Sequence, residues 1–345
     1  MDLRNRIAKY IASPRGDLLT SNREELSHSR MSTMIRNPRE HYLKYAKHLR
    51  YYKEKSSLSF GKIMHEVLAF YYSNGMNYPL EGLLDYYERQ FRGYLEYTEF
   101  PIQYSKTELL DGIPRKQQEE MAALLESDPT YLTSREAVAR ENEFELGKKM
   151  LTTWYNTYAE EDSLYTETLE VEKPFWIPLI TKSGRISQRY MLSGIIDRIY
   201  RDKRDGKIYV QDHKNLARKM ADTTPGTSNQ LSMYYLGAVF LGYLVDGACF
   251  NILYKLKEPT VDRKFTTRTD EQLEDFMEDA NDVAKCISYG IKYKNYDMGA
   301  YGDFAEYLLE GKKETVVEFI RTPLKEKFLN GDLNNKPEEE DAETI

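Results

Sequence analysis

The dipeptide Asp205-Gly206 lies between two runs rich in β-branched and aromatic residues, Tyr190–Tyr200 and Lys207–Lys214, and it constrains this chain more than any other feature. An Asp-Gly pair in this setting favours a tight hairpin whose twist matches that of its strands. With Asp205 and Gly206 as a two-residue loop, Arg204 pairs with Lys207, and Asp197 stands opposite Lys214 and diagonal to Asp212. A four-residue turn instead places Asp197 directly opposite Asp212. In either register Asp197, Asp212 and Lys214 share one face, because side chains alternate with a period of two.

Met191, Leu192, Ile195, Ile196, Ile199, Tyr209 and Val210 mark both strands as largely buried. Two carboxylates and an ammonium there are costly when desolvated without partners. One reading is a structural ion triad at a sheet edge. The other is a carboxylate pair that holds divalent metal through oxygen ligands. Lys214 would then orient the attacking water or stabilise negative charge developing on a phosphate.

The flanking segments set the fold class. Residues 1–26 read as a polar N-terminal arm. Ser27 or Ser29 can cap a helix whose apolar positions are Met31, Met34, Ile35, Tyr42 and Tyr45, kinked or divided at Pro38. After a Ser-rich break at Ser56, Ser57 and Ser59, Phe60–Ser73 reads as a helix. Helical patterns follow at about 79–97 and 115–160, the second broken near Asp128-Pro129. Thr168–Ile177 is a strand ahead of the hairpin. Behind it come a loop (Ala221–Asn229), an apolar helix (Gln230–Leu244), a strand (Ala248–Leu256) and a helix (Asp270–Ser288). This order, without internal repeat, indicates a mixed α/β (α+β) fold with one sheet.

At 345 residues the chain has room for about two domains, and 41% hydrophobic residues exclude global disorder. No run approaches the ~18 apolar residues of a membrane span, and the start MDLRNRIAKY has no signal-peptide core, so a soluble, cytoplasmic protein is expected. Two cysteines, Cys249 and Cys286, exclude a disulfide framework and a four-cysteine zinc or iron–sulfur site. The net charge of −7 is unevenly spread. Residues 1–60 hold 13 Lys/Arg against 6 Asp/Glu, which leaves 36 against 50 for the remainder. The acidic end, Pro337–Glu343, reads as a solvated tail, with a protein-partner peptide as the alternative.

Gly194-Ile-Ile-Asp197, then Asp212-His213-Lys214, then Gln230-x-x-x-Tyr234 resemble the PD-(D/E)XK nuclease superfamily. Within it they are most similar to the RecB-like and Cas4-like branch, which includes phage-encoded exonucleases and the mitochondrial genome maintenance exonuclease. Upstream, Gly61-Lys-Ile-Met-His65 resembles that branch's G-x-x-x-H helix. Ser27-His-Ser-Arg30 with Asn37-Pro38 and Tyr42/Tyr45 resembles its opening pattern. The resemblance spans about residues 27–256.

It implies a restriction-endonuclease-like core with a central mixed sheet flanked by helices, plus a helical N-terminal region. It also implies Mg²⁺ or Mn²⁺, two ions, held by His65, Asp197, Asp212 and the backbone carbonyl of His213. Asp197, Asp212, Lys214 and Glu172 would be the catalytic set. Glu170 has the same parity as Glu172 and competes for its place; Glu66 reads as solvated, and the His213 side chain as structural. Gln230 and Tyr234, four apart on one helix face, would position DNA, together with Ser29, Arg30 and Arg218. Asn37 stands where relatives carry a cluster cysteine, so no iron–sulfur cluster is expected.

The implied organisation is an arm at 1–26, a helical region at 27–160 contributing His65, a nuclease core at 161–330 and an acidic tail at 331–345. Basic residues on the helical arm (Arg36, Lys44, Lys47, Arg50 and Lys53 among them) and around the hairpin would track phosphates, with interleaved tyrosines stacking unpaired bases. The expected protein is a divalent-metal-dependent DNA exonuclease, phage origin being plausible by resemblance. The alternatives are a structure-specific endonuclease and a non-catalytic DNA-binding protein on the same fold.

Overall fold

A computed structural model describes residues 3–12, 18–19, 21–295 and 304–333, and the acidic stretch 337–343 lies outside the described residues. In chain order the first half holds α1 (Leu3–Ala12), β1 (Glu24–Leu26), α2 (His28–Arg36), α3 (Pro38–His41), β2 (Leu49–Tyr51), β3 (Glu54–Lys55), α4 (Ser56–Ser73), α5 (Leu80–Tyr97), β4 (Ile102–Gln103), α6 (Lys106–Leu109), α7 (Gln118–Ser127) and α8 (Pro129–Tyr165). The second half holds β5 (Thr166–Ile180), β6 (Ile186–Asp202), β7 (Ile208–Leu216), α9 (Thr224–Thr227), α10 (Asn229–Phe240), β8 (Val245–Tyr254), β9 (Thr260–Thr266), α11 (Asp270–Ser288), β10 (Val316–Glu318) and α12 (Leu324–Leu329).

Local chemistry sets several of these boundaries. Ser27 accepts from the Arg30 amide to cap α2, and Asn37 caps α3 with Pro38 at its first turn, so the proline divides the helix. Asp128 and Pro129 start α8 in the same way. The serines expected to break the chain instead form the first turn of α4, where Ser59 donates to Glu54 and Ser56 to Glu108, both at 2.9 Å. Ile35, expected on the buried face of α2, is 54% exposed.

The hairpin takes the four-residue turn. The Asp202 amide donates to the Lys207 carbonyl at 2.9 Å, and the ladder pairs Arg201 with Ile208 and Arg198 with Gln211. The Asp202 carboxylate accepts from the Arg204 amide and guanidinium, which stabilises the longer loop, and Gly206 supplies the left-handed φ of 76°.

The central sheet runs β1-β6-β7-β8-β9, with β5 antiparallel along the other edge of β6. Strands β1 and β9 have no counterpart in the sequence-based expectation. Helices α1, α2, α10 and α11 cover one face over Phe175, Leu192, Val210, Phe250 and Ile252. Leu3 and Ile7 of α1 are fully buried there, so the stretch expected as an arm contributes to the main core. Helices α4, α5 and α8 cover the other face, where Tyr71, Tyr72, Tyr87 and Trp154 are buried. Among the described residues no helix is long and apolar enough to cross a membrane.

Candidate active site

Strand β6 offers one edge to two neighbours. Strand β7 takes Arg198–Arg201 and β1 takes Tyr190–Leu192. Between them, among the described residues, 193–197 have no strand partner on that edge, and the sheet forks. At the fork the His213 amide donates to Asp197 Oδ2 at 2.7 Å, a side chain standing in for the interrupted ladder.

Each arm of the fork brings charged groups. From α4, His65 places Nδ1 3.2 Å from Asp197 Oδ2. From β5, Glu172 lies between Val171 and Lys173, which pair with Arg198 and Ile196, and so neighbours Asp197 across the ladder. One ligand atom from each of His65, Glu172 and Asp197 lies within 4.8 Å of the other two. From β7 and α10 comes a second group. Asp212 Oδ1 accepts from Gln230 Nε2 at 2.6 Å, Oδ2 is 2.5 Å from Lys214 Nζ, and Lys214 donates to Gln230 Oε1 at 2.9 Å. Gln230 also donates to the Tyr234 hydroxyl at 3.1 Å.

Close packing holds α10 this near the sheet. The Phe175 ring is gripped between Gly194 and Gly237; a Cβ at either glycine would come within 2.9 Å of it. Any larger residue at Gly237 would lift the helix that carries Gln230.

The competition between the two glutamates is resolved by a break in alternation. Glu170 accepts from Tyr243 and pairs with Lys173 at 3.0 Å, away from the cluster. Val171 packs with the α4–α5–α8 core, whereas Phe175, an even number of residues on, packs with the opposite core. Between them Glu172 has a φ of 46°, left-handed backbone that costs a non-glycine residue about 1–3 kcal/mol. Such strain concentrates at functional sites, and no periodicity argument could have found it.

Electrostatics follow from crowding. Burial would lower the His65 pKa, but Asp197, with Asp212 and Glu172 behind it, raises it to about 9. Burial works against the charged form of Asp197 too, yet His65 and the His213 amide hold that carboxyl below its ordinary range. Burial, with the charge of Asp197, pushes Asp212 up to about 6 against the pull of Lys214. The same two causes push the Glu172 carboxyl upward, although the residue is exposed rather than buried. The site gathers the three carboxyl groups of Asp197, Asp212 and Glu172 around the His65 imidazole and the Lys214 ammonium. One imidazole nitrogen and two carboxylates from His65, Glu172 and Asp197, with Asp212 adjoining, form a donor set that can hold a divalent cation.

The His213 side chain points to the other face. It is fully buried, stacks on Tyr72 with ring centroids 5.7 Å apart, meets Asn251 at 3.0 Å and is kept neutral by burial.

A cavity of about 960 Å³ lies over the fork, lined by Ser29, Arg30, His65, Asp197, Gln230 and Tyr234, and also by Lys62 and Arg321, which the sequence analysis did not single out. Arg30 is held by Glu24 at 2.8 Å and by the Glu25 carbonyl. Arg218 is exposed in the bend after β7, outside the lining of this cavity.

No curated protein matches the chain in sequence. A crystal structure of a protein from Eubacterium rectale described as a "Putative exonuclease" is similar at 11% identity and a TM-score of 0.39, over 92% of this chain and 97% of that one. The family model of the PD-(D/E)XK nuclease superfamily matches residues 25–300. That span takes in the fork, its carboxylates, Lys214 and the helix bearing His65, and the chain belongs to the PD-(D/E)XK nuclease superfamily.

Proposed function

We propose that the protein is a divalent-metal-dependent deoxyribonuclease acting as an exonuclease on DNA ends or single strands. The observation that carries this reading is the fork itself, where His65, Glu172 and Asp197 meet beside the closed triad of Asp212, Gln230 and Lys214.

His65, Glu172, Asp197 and Asp212 would hold Mg²⁺ or Mn²⁺. When bound, such ions activate water for in-line attack and neutralise phosphate charge. Lys214, ion-paired with Asp212 and aimed by Gln230, meets the negative charge that develops on the scissile phosphate. Gln230 links that lysine to Asp212, and Tyr234 fixes the Gln230 amide from below.

The wall of the cavity supports a reading of end-wise rather than internal cutting. Strand β10 pairs with β2, which leads into α4 and His65. A few residues on, the Leu324 and Lys325 amides donate to the Glu25 carboxylate of β1 at 2.7 and 2.8 Å, and β1 pairs with the strand bearing Asp197. Residues 316–325 thus bridge the two walls above the site. On this reading a free end would pass beneath the bridge, whereas a closed circle would require it to open.

The test is a time course on 5′- and 3′-labelled linear and on circular single-stranded DNA with Mg²⁺ or Mn²⁺. Linear DNA should be shortened from an end and circles spared. Linearised circles would identify an endonuclease, and retarded but uncut DNA a non-catalytic binder. Unchanged turnover in purified Asp212→Ala would remove the mechanism.

A further inference from the structure

Beside the catalytic cavity lies a second one of about 310 Å³, at the lower end of ligand-pocket sizes of roughly 300–1,000 Å³. The two share Lys44, Lys62 and Arg321 in their walls, so they adjoin. The smaller pocket gathers Arg50, Lys53 and Lys55 as well, six cations against the single carboxylate of Glu54. That carboxylate is fully engaged: Lys62 reaches it at 3.0 Å, Arg50 at 3.4 Å, Ser59 at 2.9 Å, and the Tyr94 hydroxyl also donates to it.

Two of the cations, Arg321 and Lys53, have no carboxylate partner among the described residues. Arg321 donates to the Lys44 carbonyl at 2.6 Å and lies over the rings of Tyr45 and Phe319, each 5.3 Å away, with no ion pair among the described residues. Lys53 lies 5.3 Å from the Tyr52 ring and likewise forms no ion pair among the described residues. Burial lowers the Arg321 pKa, and the nearby Arg50 guanidinium pushes the same way against Tyr45. A half-buried guanidinium without an anion is unfavourable unless a ligand supplies one. Tyr51 and Phe319 add aromatic surface to the lining, while Phe304, 2% exposed, packs beneath it with Leu43.

We propose that this pocket is a second nucleic-acid subsite, which holds a phosphate of the bound strand beyond the scissile one, with Arg321 as the cation shared by both cavities. It rests on the reading of the chain as a nuclease. The ligand is the backbone of a single strand rather than a free nucleotide, because the pocket adjoins the catalytic cavity and aromatic edges beside the cations suit stacking of unpaired bases. Phe304, Phe319 and Arg321 lie beyond residues 25–300, so the subsite depends on a segment outside the family match.

The experiment measures binding of a labelled single-stranded oligonucleotide by fluorescence anisotropy in EDTA, across salt, with the full-length protein. Arg321→Ala and Lys53→Ala should each weaken binding and flatten the plot of log affinity against log salt by about 0.7 per lost contact. Arg321→Lys should restore most of the slope. Hydrolysis of a small chromogenic phosphodiester, which fills only the catalytic cavity, should fall less than oligonucleotide cleavage in Arg321→Ala. Unchanged affinity and slope in the double variant would overturn the subsite while leaving the nuclease reading intact. Equal loss of small-diester hydrolysis would overturn it too, in favour of a structural role for Arg321, and so would competition by a mononucleotide at the concentration effective for the oligonucleotide. Failure of wild type to bind any oligonucleotide would overturn both readings.

Discussion

Asp197 Oδ2 receives the His213 amide at 2.7 Å and lies 3.2 Å from His65 Nδ1. One carboxylate oxygen therefore closes the end of a strand ladder and faces the imidazole from the opposite helical layer. Satisfying a backbone donor gives Asp197 a fixed position, and the charge it keeps there makes the fork a place for cations.

Added Mn²⁺ should stabilise the wild-type protein, by about 2.7 kcal/mol at a hundred times its dissociation constant. Thermal unfolding with and without EDTA measures it. Asp197→Asn and His65→Ala should lose most of the shift, whereas Lys214→Ala should keep it and lose about 10²–10³ in cleavage rate. An equal shift in all four proteins would place the ion elsewhere.

Glu172→Gly should raise stability and lower activity together. Glycine accepts the left-handed backbone without steric cost, so urea unfolding should show a gain of about 1 kcal/mol, while metal-dependent cleavage falls with the lost carboxylate. A loss of stability would mean that the strain is compensated locally.

Asp162 is fully buried and receives Arg263 at 2.7 and 2.6 Å and the Tyr72 hydroxyl at 2.9 Å, with Arg198 at 3.8 Å. Burial opposes its charge, but Arg263, then Arg198, hold its pKa below the ordinary 3.8. The folded state therefore binds this proton less readily than the unfolded chain. Its stabilising contribution is complete above the ordinary carboxylate range and disappears as pH falls through the lowered folded value. Asp162→Asn leaves two buried guanidinium groups facing each other and should cost about 3–5 kcal/mol. Urea titrations at several acid pH values should show a shallower acid limb in that variant.

Gly237→Ala should cost about 1–3 kcal/mol, because its Cβ would meet the Phe175 ring at 2.8 Å. Lifting α10 also draws Gln230 from Asp212, so cleavage should fall more than global stability accounts for. Phe175→Leu in the same protein should recover part of both losses in a double-mutant cycle.

Much of the local order was legible in the residues. The alternation of apolar positions makes β6 and β7 strands and sets Asp212 and Lys214 on one face; the spacing of Gln230 and Tyr234 sets them on one side of α10. The start of α8 at Asp128-Pro129 and the bounds of α11 follow from capping chemistry. The hairpin register stayed open between two choices, since a carboxylate at Asp202 selects the longer loop only once it turns back on Arg204.

Sequence by itself determined which residue types ride on which strand or helix, because backbone periodicity and capping act within a few residues. Tertiary structure alone decided that β1 and β7 share an edge of β6 and leave a gap, that Glu172 rather than Glu170 turns into it, and that Arg321 reaches the same cavity as His65. Those meetings join segments far apart along the chain, and packing between layers, which leaves no local periodic trace, is what brings them together.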